Sequence, residues 1–388
     1  MSEKHISAAI RCVGVDDTTI RLFEGQYSVP NGVSYNSYVI VDEKVAVMDT
    51  VDRRGTVAWM RNLEEALAGR QPDYLVIQHM EPDHAGSIGL LAEKYPDMTL
   101  VGNAKTFTMF PKFFPGDFSA RQMTVKEGDT LPLGSHTLHF VMAPMVHWPE
   151  VMVSYEDSEK VLFSADGFGK FGALEKEEPW LDEARRYYLN IVGKYGVQVQ
   201  ALLKKAAGLD IRTICPLHGP VLREDLGYYI GKYDLWSRYQ PEDEGVLIAY
   251  ASIHGNTARA AGLMKSILED QGCPKVSVMD LCRCDQSEAV AEAFRYGKMV
   301  AMSATYDGGL FPPMDQFMAH LRDKTYRSRK VALIENGSWA PSAAKHMRAF
   351  LEGMKDITIC ETAHTIQGAV KDCDIEAMGK IAGELLAD

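Results

Sequence analysis

The chain has 388 residues, room for about two or three domains, and 46% hydrophobic against 24% charged residues leaves ample material for a large core. A net charge of −12 and the absence of any Lys/Arg run argue against non-specific binding to nucleic acid or to an anionic membrane. No apolar run reaches transmembrane length and Met1-Ser2-Glu3-Lys4-His5 lacks a signal-peptide layout, so the cytoplasm is the expected location.

Residues 20–50 alternate apolar and polar positions around turn signals, with 23–29, 35–41 and 45–48 reading as antiparallel strands. Residues 60–67 read as a helix. Tyr74-Leu75-Val76-Ile77-Gln78 reads as a buried strand, and 88–95 carries helical spacing. Between them, the stretch from Gln78 to Ser87 puts His79, Glu81, Asp83 and His84 into one turn, where several side chains can aim at a single point. Two imidazoles and two carboxylates this close are costly to bury unpaired, so solvent or a cation must answer them. A solvated polar loop is the bland alternative.

Further strands at 99–102, 137–142, 151–155 and 161–165 mix with helices, as in stacked α and β layers. Three more candidates fall where strands end: His147 after Ala143-Pro144, Asp166 after Ser164-Ala165, and His218 after Cys215-Pro216. Such loops are where catalytic groups are displayed. A lone histidine there is more often structural, but three polar strand ends following the His79–His84 turn shift the balance. His136 and His139 read as strand-face or core histidines. Tyr187, Tyr188, Asn190 and Tyr195 fall in a helical stretch before His218. One of these tyrosines can line a metal pocket and supply a proton; Tyr195 is the choice, with core packing the alternative.

Gln240-Pro241-Glu242-Asp243-Glu244-Gly245 is acidic and Pro/Gly-flanked, and 241–245 reads as a linker. Beyond it come near-continuous apolar strands at 246–250, 276–280, 299–303, 331–335 and 357–360, separated by helical stretches, the first at 257–269. This pattern means a parallel sheet covered on both faces, and five strands suggest a flavodoxin-like doubly wound α/β domain. The loop Ser252-Ile253-His254-Gly255-Asn256-Thr257 follows the first strand and opens the first helix, an anion site suited to a terminal phosphate. It lacks the glycine pattern of dinucleotide binders and the Gly-Lys-Ser/Thr of triphosphatases. It also contains no Lys or Arg, which points to FMN held by neutral donors, with His254 exposed. Ser303-Ala304-Thr305-Tyr306-Asp307-Gly308-Gly309 and Asn336-Gly337-Ser338-Trp339-Ala340-Pro341 lie at the carboxyl edge of the sheet, where such folds bind ligands. Trp339 or Tyr306 can cover the isoalloxazine ring, and backbone donors can tune its potential. The seven cysteines are scattered without a Cys-x-x-Cys pair, against a disulfide framework or a rubredoxin-type iron site; Cys282 and Cys284 read as small strand-end residues.

The order His-x-Glu-x-Asp-His, then His147, Asp166 and His218, resembles the metallo-β-lactamase superfamily. That resemblance implies a four-layer αββα sandwich with a binuclear metal site: His79, Glu81 and His147 on one metal, Asp83, His84 and His218 on the other, and Asp166 bridging. Glu81 stands where the hydrolases of that family carry a second histidine, and a carboxylate-plus-imidazole set suits iron or manganese. Residues 252–257 resemble the flavodoxin phosphate signature Ser/Thr-x-x-Gly-x-Thr. From about residue 20 onward the chain is similar to the flavodiiron proteins, or A-type flavoproteins, although Ala340 and Pro341 follow Trp339 where relatives often have Gly-Gly.

The resemblance implies a metallo-β-lactamase-like domain over 1–240 and a flavodoxin-like FMN domain over 246–388. It further implies reduction of O2 to water, of NO to N2O, or both, at a non-haem diiron centre. Electrons would pass through FMN from a separate donor such as a rubredoxin, within a head-to-tail homodimer or a dimer of dimers. Two rivals remain. One is a zinc hydrolase of the same sandwich fold with an accessory flavodoxin domain; the other is a flavodoxin-type electron carrier whose front half is a docking scaffold. Glu81 and the FMN loops count against the first, and the full ligand set counts against the second.

Overall fold

Val45–Met48, Tyr74–Val76 and Thr99–Asn103 are short, mostly apolar, almost wholly buried runs, and they pair in parallel at the centre of a six-stranded sheet. Burial on both sides is what such near-continuous apolar strands require. Tyr38–Val41 and Ile10–Cys12 extend the sheet antiparallel on one side, and Gln122–Val125 extends it in parallel on the other. A second sheet carries Thr130–Pro132, Thr137–Met142, Met152–Glu156, Val161–Phe163 and Thr213–Cys215 in that order, antiparallel except for its last pair. The two sheets meet through one apolar cluster. Ile40, Met48, Val76 and Val101 from the first pack with Leu138, Phe140, Met152 and Phe163 from the second. Helix Thr56–Leu67 buries Trp59 and Leu63. This is a metallo-β-lactamase-like sandwich.

The structure is a computed structural model describing residues 5–387, and it divides into two compact units. The sandwich belongs to the unit that runs to Tyr188 and takes in Val197–Asp234; the other unit holds Leu189–Gly196 and the chain from Leu235. In the second unit, Val276–Asp280, Asp243–Ala251, Tyr296–Tyr306, Arg329–Asn336 and Ile357–Ile359 form a parallel sheet. The chain order across it is second, first, third, fourth, fifth, which is the flavodoxin arrangement. The fifth position is shared, because His364–Ile366 also pairs with Arg329–Asn336 further along. Helices Asn256–Asp270 and Asp372–Leu386 supply Ala260, Met264, Met378 and Ile381 to the core beneath the sheet.

Three local features depart from the sequence pattern. The first parallel strand opens at Asp243, inside the stretch read as a linker, because Arg295 at 2.7 Å and Lys275 at 3.3 Å neutralise Asp243 where composition alone suggests a loop. Helix Ala104–Met109 and strands Gln122–Val125 and Thr130–Pro132 occupy a region where no element was expected. Finally, the stretch before His218 is not one helix. Helix Trp180–Tyr187 passes into a π turn at Tyr188–Val192, then a 3-10 turn at Gly193–Tyr195, before helix Gly196–Ala206 begins.

Candidate functional site

All seven predicted ligands of the first unit lie in loops at one end of the sandwich. The turn after strand Tyr74–Val76 becomes a single helical turn, Pro82–Ala85, whose opening proline needs no N–H partner. Buried Asp49 holds the entry to that turn: it accepts from the Gln78 and His79 amides at 2.8 and 3.2 Å and from the Gln78 side chain at 3.0 Å. Burial pushes its carboxyl up to about 6. Thr50 donates to the His84 carbonyl at 2.6 Å and fixes the other end.

The side chains converge as two groups. In one, Glu81 Oε2 lies 3.2 Å from His79 Nε2 and 3.0 Å from His147 Nε2. In the other, Asp83 Oδ2 lies 3.4 Å from His84 Nε2 and 3.2 Å from His218 Nε2, and the two imidazole nitrogens are 3.1 Å apart. Asp166 faces both. Its Oδ2 is 3.4 and 3.2 Å from His79 and His147, and its Oδ1 is 3.1 and 3.9 Å from His84 and His218. Atoms bound to one ion at about 2.1 Å stand roughly 3.0–3.4 Å from each other, so these separations are those of ligand sets.

The groups around the cluster fix its rings. His79 Nδ1 shares a hydrogen bond of 2.9 Å with Glu150 Oε1, which also accepts from the Met80 amide at 2.8 Å. His218 Nδ1 donates to the Ser34 carbonyl at 2.7 Å. Each bond leaves the opposite ring nitrogen free to face the cluster. Burial lowers the affinity of His79 for a proton, but Asp166, Glu150 and Glu81 outweigh it and raise its pKa well above the usual value. Burial likewise works to raise Asp166, and the surrounding histidines hold it well below the carboxylate range. Both Asp83 oxygens and Asp166 Oδ1 are buried with no hydrogen-bond partner. Orphaned carboxylate oxygens facing imidazole nitrogens are what a bound cation would satisfy, so the donor set fits a metal pair. A cavity of about 270 Å³ borders the cluster at Glu81 and Asp83, walled by Phe23, Tyr35 and Arg54.

Tyr195 lies outside the unit that carries this cluster. It is half-buried and belongs to the second unit, to which Gly193 and Gly196 are tied by hydrogen bonds with the Tyr239 hydroxyl. A π turn takes more residues per turn than an α-helix, so counting helical phase across it fails. Of the candidate tyrosines, Tyr187 meets a ligand candidate. It is fully buried with its ring 5.4 Å from that of His218, and its hydroxyl has no hydrogen-bond partner. Glu150 and Asp49 were missed at the sequence level, while Tyr187 stood among the candidate tyrosines without being the one chosen; Glu150, three residues beyond His147, was the more findable of the two.

In the second unit a cavity of about 380 Å³ opens at the carboxyl edge of the sheet. Ser252, Ile253, His254, Asn256 and Thr257 line it from the first loop, and Ala304, Thr305, Asp307 and Gly308 from the second. Gly337, Ser338, Trp339 and Ala340 close the third side. Gly255 turns the chain with φ 93° and donates its N–H to Ser252 Oγ at 3.1 Å, and His254 is exposed. No side chain caps helix Asn256–Asp270 and no Lys or Arg lines the cavity, so a phosphate there would meet neutral donors. Ser303 and Tyr306 do not line it: Ser303 is buried below, donating to the Ala304 carbonyl, and the Tyr306 ring turns to Phe311 at 5.5 Å. Gly255 shapes the loop rather than forming wall. Asn336 and Gly368 are additional lining residues, joined by a 2.9 Å hydrogen bond from the Asn336 side chain.

Residues 33–219 match the family model of the ODP family beta lactamases. The chain is 29% identical to the nitric oxide reductase of Moorella thermoacetica, over 98% of each chain. It is 28% identical to the rubredoxin-oxygen oxidoreductase of Megalodesulfovibrio gigas, over 91% of this chain and 90% of that one. The crystal structure of the flavodiiron protein from Giardia intestinalis superposes with a TM-score of 0.93 at 25% identity, covering 99% of this chain and 96% of that one.

Proposed function

We propose that this chain, which belongs to the flavodiiron proteins, is a cytoplasmic oxidoreductase that reduces O2 to water, NO to N2O, or both, with electrons relayed by FMN from an external donor such as rubredoxin. His79, Glu81 and His147 would hold one iron and Asp83, His84 and His218 the other, with Asp166 facing both groups. The observation that carries this reading is the division of Asp166, one oxygen turned to each histidine group. When bound, the metal pair supplies electrons to a diatomic gas, and reduced FMN replenishes them. Glu81 adds an anionic oxygen ligand, and a carboxylate-plus-imidazole set suits iron or manganese. Glu150 and the Ser34 carbonyl keep His79 and His218 presented. The Tyr187 hydroxyl holds a proton beside the second group.

The domains are proposed as 1–240 and 246–388, with FMN seated on the loops at Ser252–Thr257, Ala304–Gly308 and Asn336–Ala340 of the second. A head-to-tail homodimer would bring the flavin of one copy to the cavity at Glu81 and Asp83 of the other. The relatives named for nitric oxide reduction and rubredoxin-linked oxygen reduction support the choice of substrates and donor. Among the described residues no helix is long and apolar enough to cross a membrane. The test is metal and flavin analysis of protein purified without oxygen, followed by stopped-flow mixing of the reduced form with each gas. About two irons per chain with a flavin spectrum and rapid reoxidation are expected. Zinc in place of iron, or no oxidation by either gas, refutes the reading.

A further inference from the structure

Beside the ligand cluster, the first unit contains a cavity of about 230 Å³ that the chemistry above does not use. It lies beneath helices Gly196–Ala206 and Leu226–Ser237, and its walls are almost entirely aliphatic, with Val199, Leu203 and Ile230 from those helices and Val153, Leu162 and Ile214 from the second sheet. Only Ser164 and Tyr233 bring polar side-chain atoms. Ser164 donates to the Gly167 carbonyl at 2.6 Å, and the Tyr233 hydroxyl accepts from the Phe168 amide at 2.6 Å. A water inside would find few partners, and apolar cavities of this size stay dry and take up small apolar molecules. A water's share of liquid volume is about 30 Å³, so several diatomic molecules fit.

The position of the cavity suggests its use. Its inner wall includes Val146, which precedes His147, and Gly167 and Phe168, which follow Asp166. No metal-ligand candidate lines it, but its lining residues Val146 and Gly167 are the immediate chain neighbours of His147 and Asp166. Phe168 is a lining residue two positions from Asp166. It has φ 68°, a left-handed conformation unusual for a bulky residue, and its ring packs at 4.3 Å from that of Tyr233. At the opposite end Ala206 is half-buried and Ala207 is exposed, which gives the cavity an outer mouth.

We propose that this cavity collects the apolar diatomic gas and delivers it to the metal pair past Phe168 and Val146. The proposal rests on the gas-reductase reading above and adds a route to it. O2 and NO partition favourably into dry apolar volume, so an antechamber next to the ligands raises their local concentration without attracting ions or water.

The test begins with xenon, as a probe of apolar voids, applied to the unaltered protein and read by 129Xe NMR or by diffraction under pressure. Xenon is expected between Val199, Leu203 and Phe168, and its absence there overturns the proposal whatever the metal content. Two variants then narrow the space: Val199→Phe inside, and Ala206→Leu at the half-exposed mouth, where an added side chain is easier to accommodate. Both are expected to lose xenon uptake and to show a several-fold fall in the second-order rate constant for reoxidation by gas. Iron content, FMN content and the rate of reduction by the donor should stay as in the parent. Loss of xenon uptake with an unchanged gas rate constant also overturns the proposal, while leaving the reductase reading intact. A parent protein without iron would sink that reading instead, and the xenon result would show separately whether the cavity exists as a gas site.

Discussion

Replacing Glu150 tests whether the groups behind the cluster, and not the ligands alone, set metal affinity. Glu150 Oε1 is fully buried and accepts two hydrogen bonds, from His79 Nδ1 and from the Met80 amide. In Glu150→Gln the carbonyl can still accept both, so only the charge assistance is lost, roughly 1 kcal/mol from the difference between charged and neutral hydrogen bonds. That corresponds to about a fivefold weaker site. In Glu150→Ala two buried donors lose their partner, at about 1–3 kcal/mol each. Part of that cost falls on the stability of the metal-free fold. The part that frees the His79 ring to rotate falls on the metal, where loss of such a partner typically costs 10–100-fold in affinity. The assay is competition for Fe(II) against a chromophoric chelator under anaerobic conditions, with thermal unfolding of the metal-free proteins run alongside. Iron bound as tightly by Glu150→Ala as by the parent would refute the argument that His79 is presented by this carboxylate.

Three further outcomes are expected. Asp166→Asn should deplete iron from both groups because each Asp166 oxygen faces one of them, whereas His218→Ala should spare the His79 group; elemental analysis distinguishes the two, and equal losses would count against the shared role. Gly255→Ala forces a Cβ onto φ 93°, a strain of about 1–2 kcal/mol, and should weaken FMN binding about 5–30-fold, read by flavin fluorescence. The half-buried His136–Asp42 pair, 2.6 Å apart, should show a pH-dependent coupling in a double-mutant cycle. Burial works against the charge on His136, yet Asp42 and Glu159 raise its pKa above 6.5; burial also works to raise Asp42, yet His136 holds it below 3.8. The His136 contribution is therefore complete below 6.5 and lost as pH rises through its raised folded value, while that of Asp42 is present above 3.8 and lost as pH falls through its lowered one. Coupling energies from urea unfolding should peak between these limits and fade on the alkaline side, and a flat profile would contradict the pairing.

The ligands were legible because metal chemistry restricts residue types and strand-end loops restrict positions. It was the resemblance of their order to the metallo-β-lactamase superfamily that joined Glu81, His84 and His218 in one expected site, and the structure brings them into two adjoining groups that could hold metal. The flavodoxin half was legible for a similar reason, since parallel strands buried on both faces leave long apolar runs. What escaped depends on geometry that no pattern encodes. The π turn at Tyr188–Val192 carries the chain from one unit to the other, with Tyr187, whose ring meets that of His218, before it and Tyr195 beyond it. Gly368 reaches the second cavity from beyond His364–Ile366, whose pairing with Arg329–Asn336 is a long-range choice. Ser303 and Tyr306 belong to the end of strand Tyr296–Tyr306, where Ser303 is buried and bonded to the Ala304 carbonyl and the Tyr306 ring packs on Phe311, contacts that no spacing encodes.

The least legible feature is the backbone that aims the ligands. Asp49 (φ 54°), Met145 (φ 65°), Ala165 (φ 49°) and Phe168 (φ 68°) all take left-handed conformations without being glycine. Sequence reading reserves such positions for glycine, since each costs an L-residue about 1–2 kcal/mol. Met145, Ala165 and Phe168 lie within two residues of His147 or Asp166, Asp49 accepts from the Gln78 and His79 amides, and each of the four stands beside a hydrogen bond that holds the turn. The Asp49 amide donates to Val76, the Met145 amide to Trp148, the Leu217 amide to the Ala165 carbonyl, and the Phe168 amide to Tyr233. The Leu217–Ala165 bond links the loop carrying Asp166 directly to the loop carrying His218. A glycine at these turns would remove the strain but also widen the conformations open to the loop, and the seven side chains would lose the fixed directions that make them one site. The strained turns are thus part of how a fold built from ordinary apolar strands holds so many imidazoles and carboxylates within reach of each other.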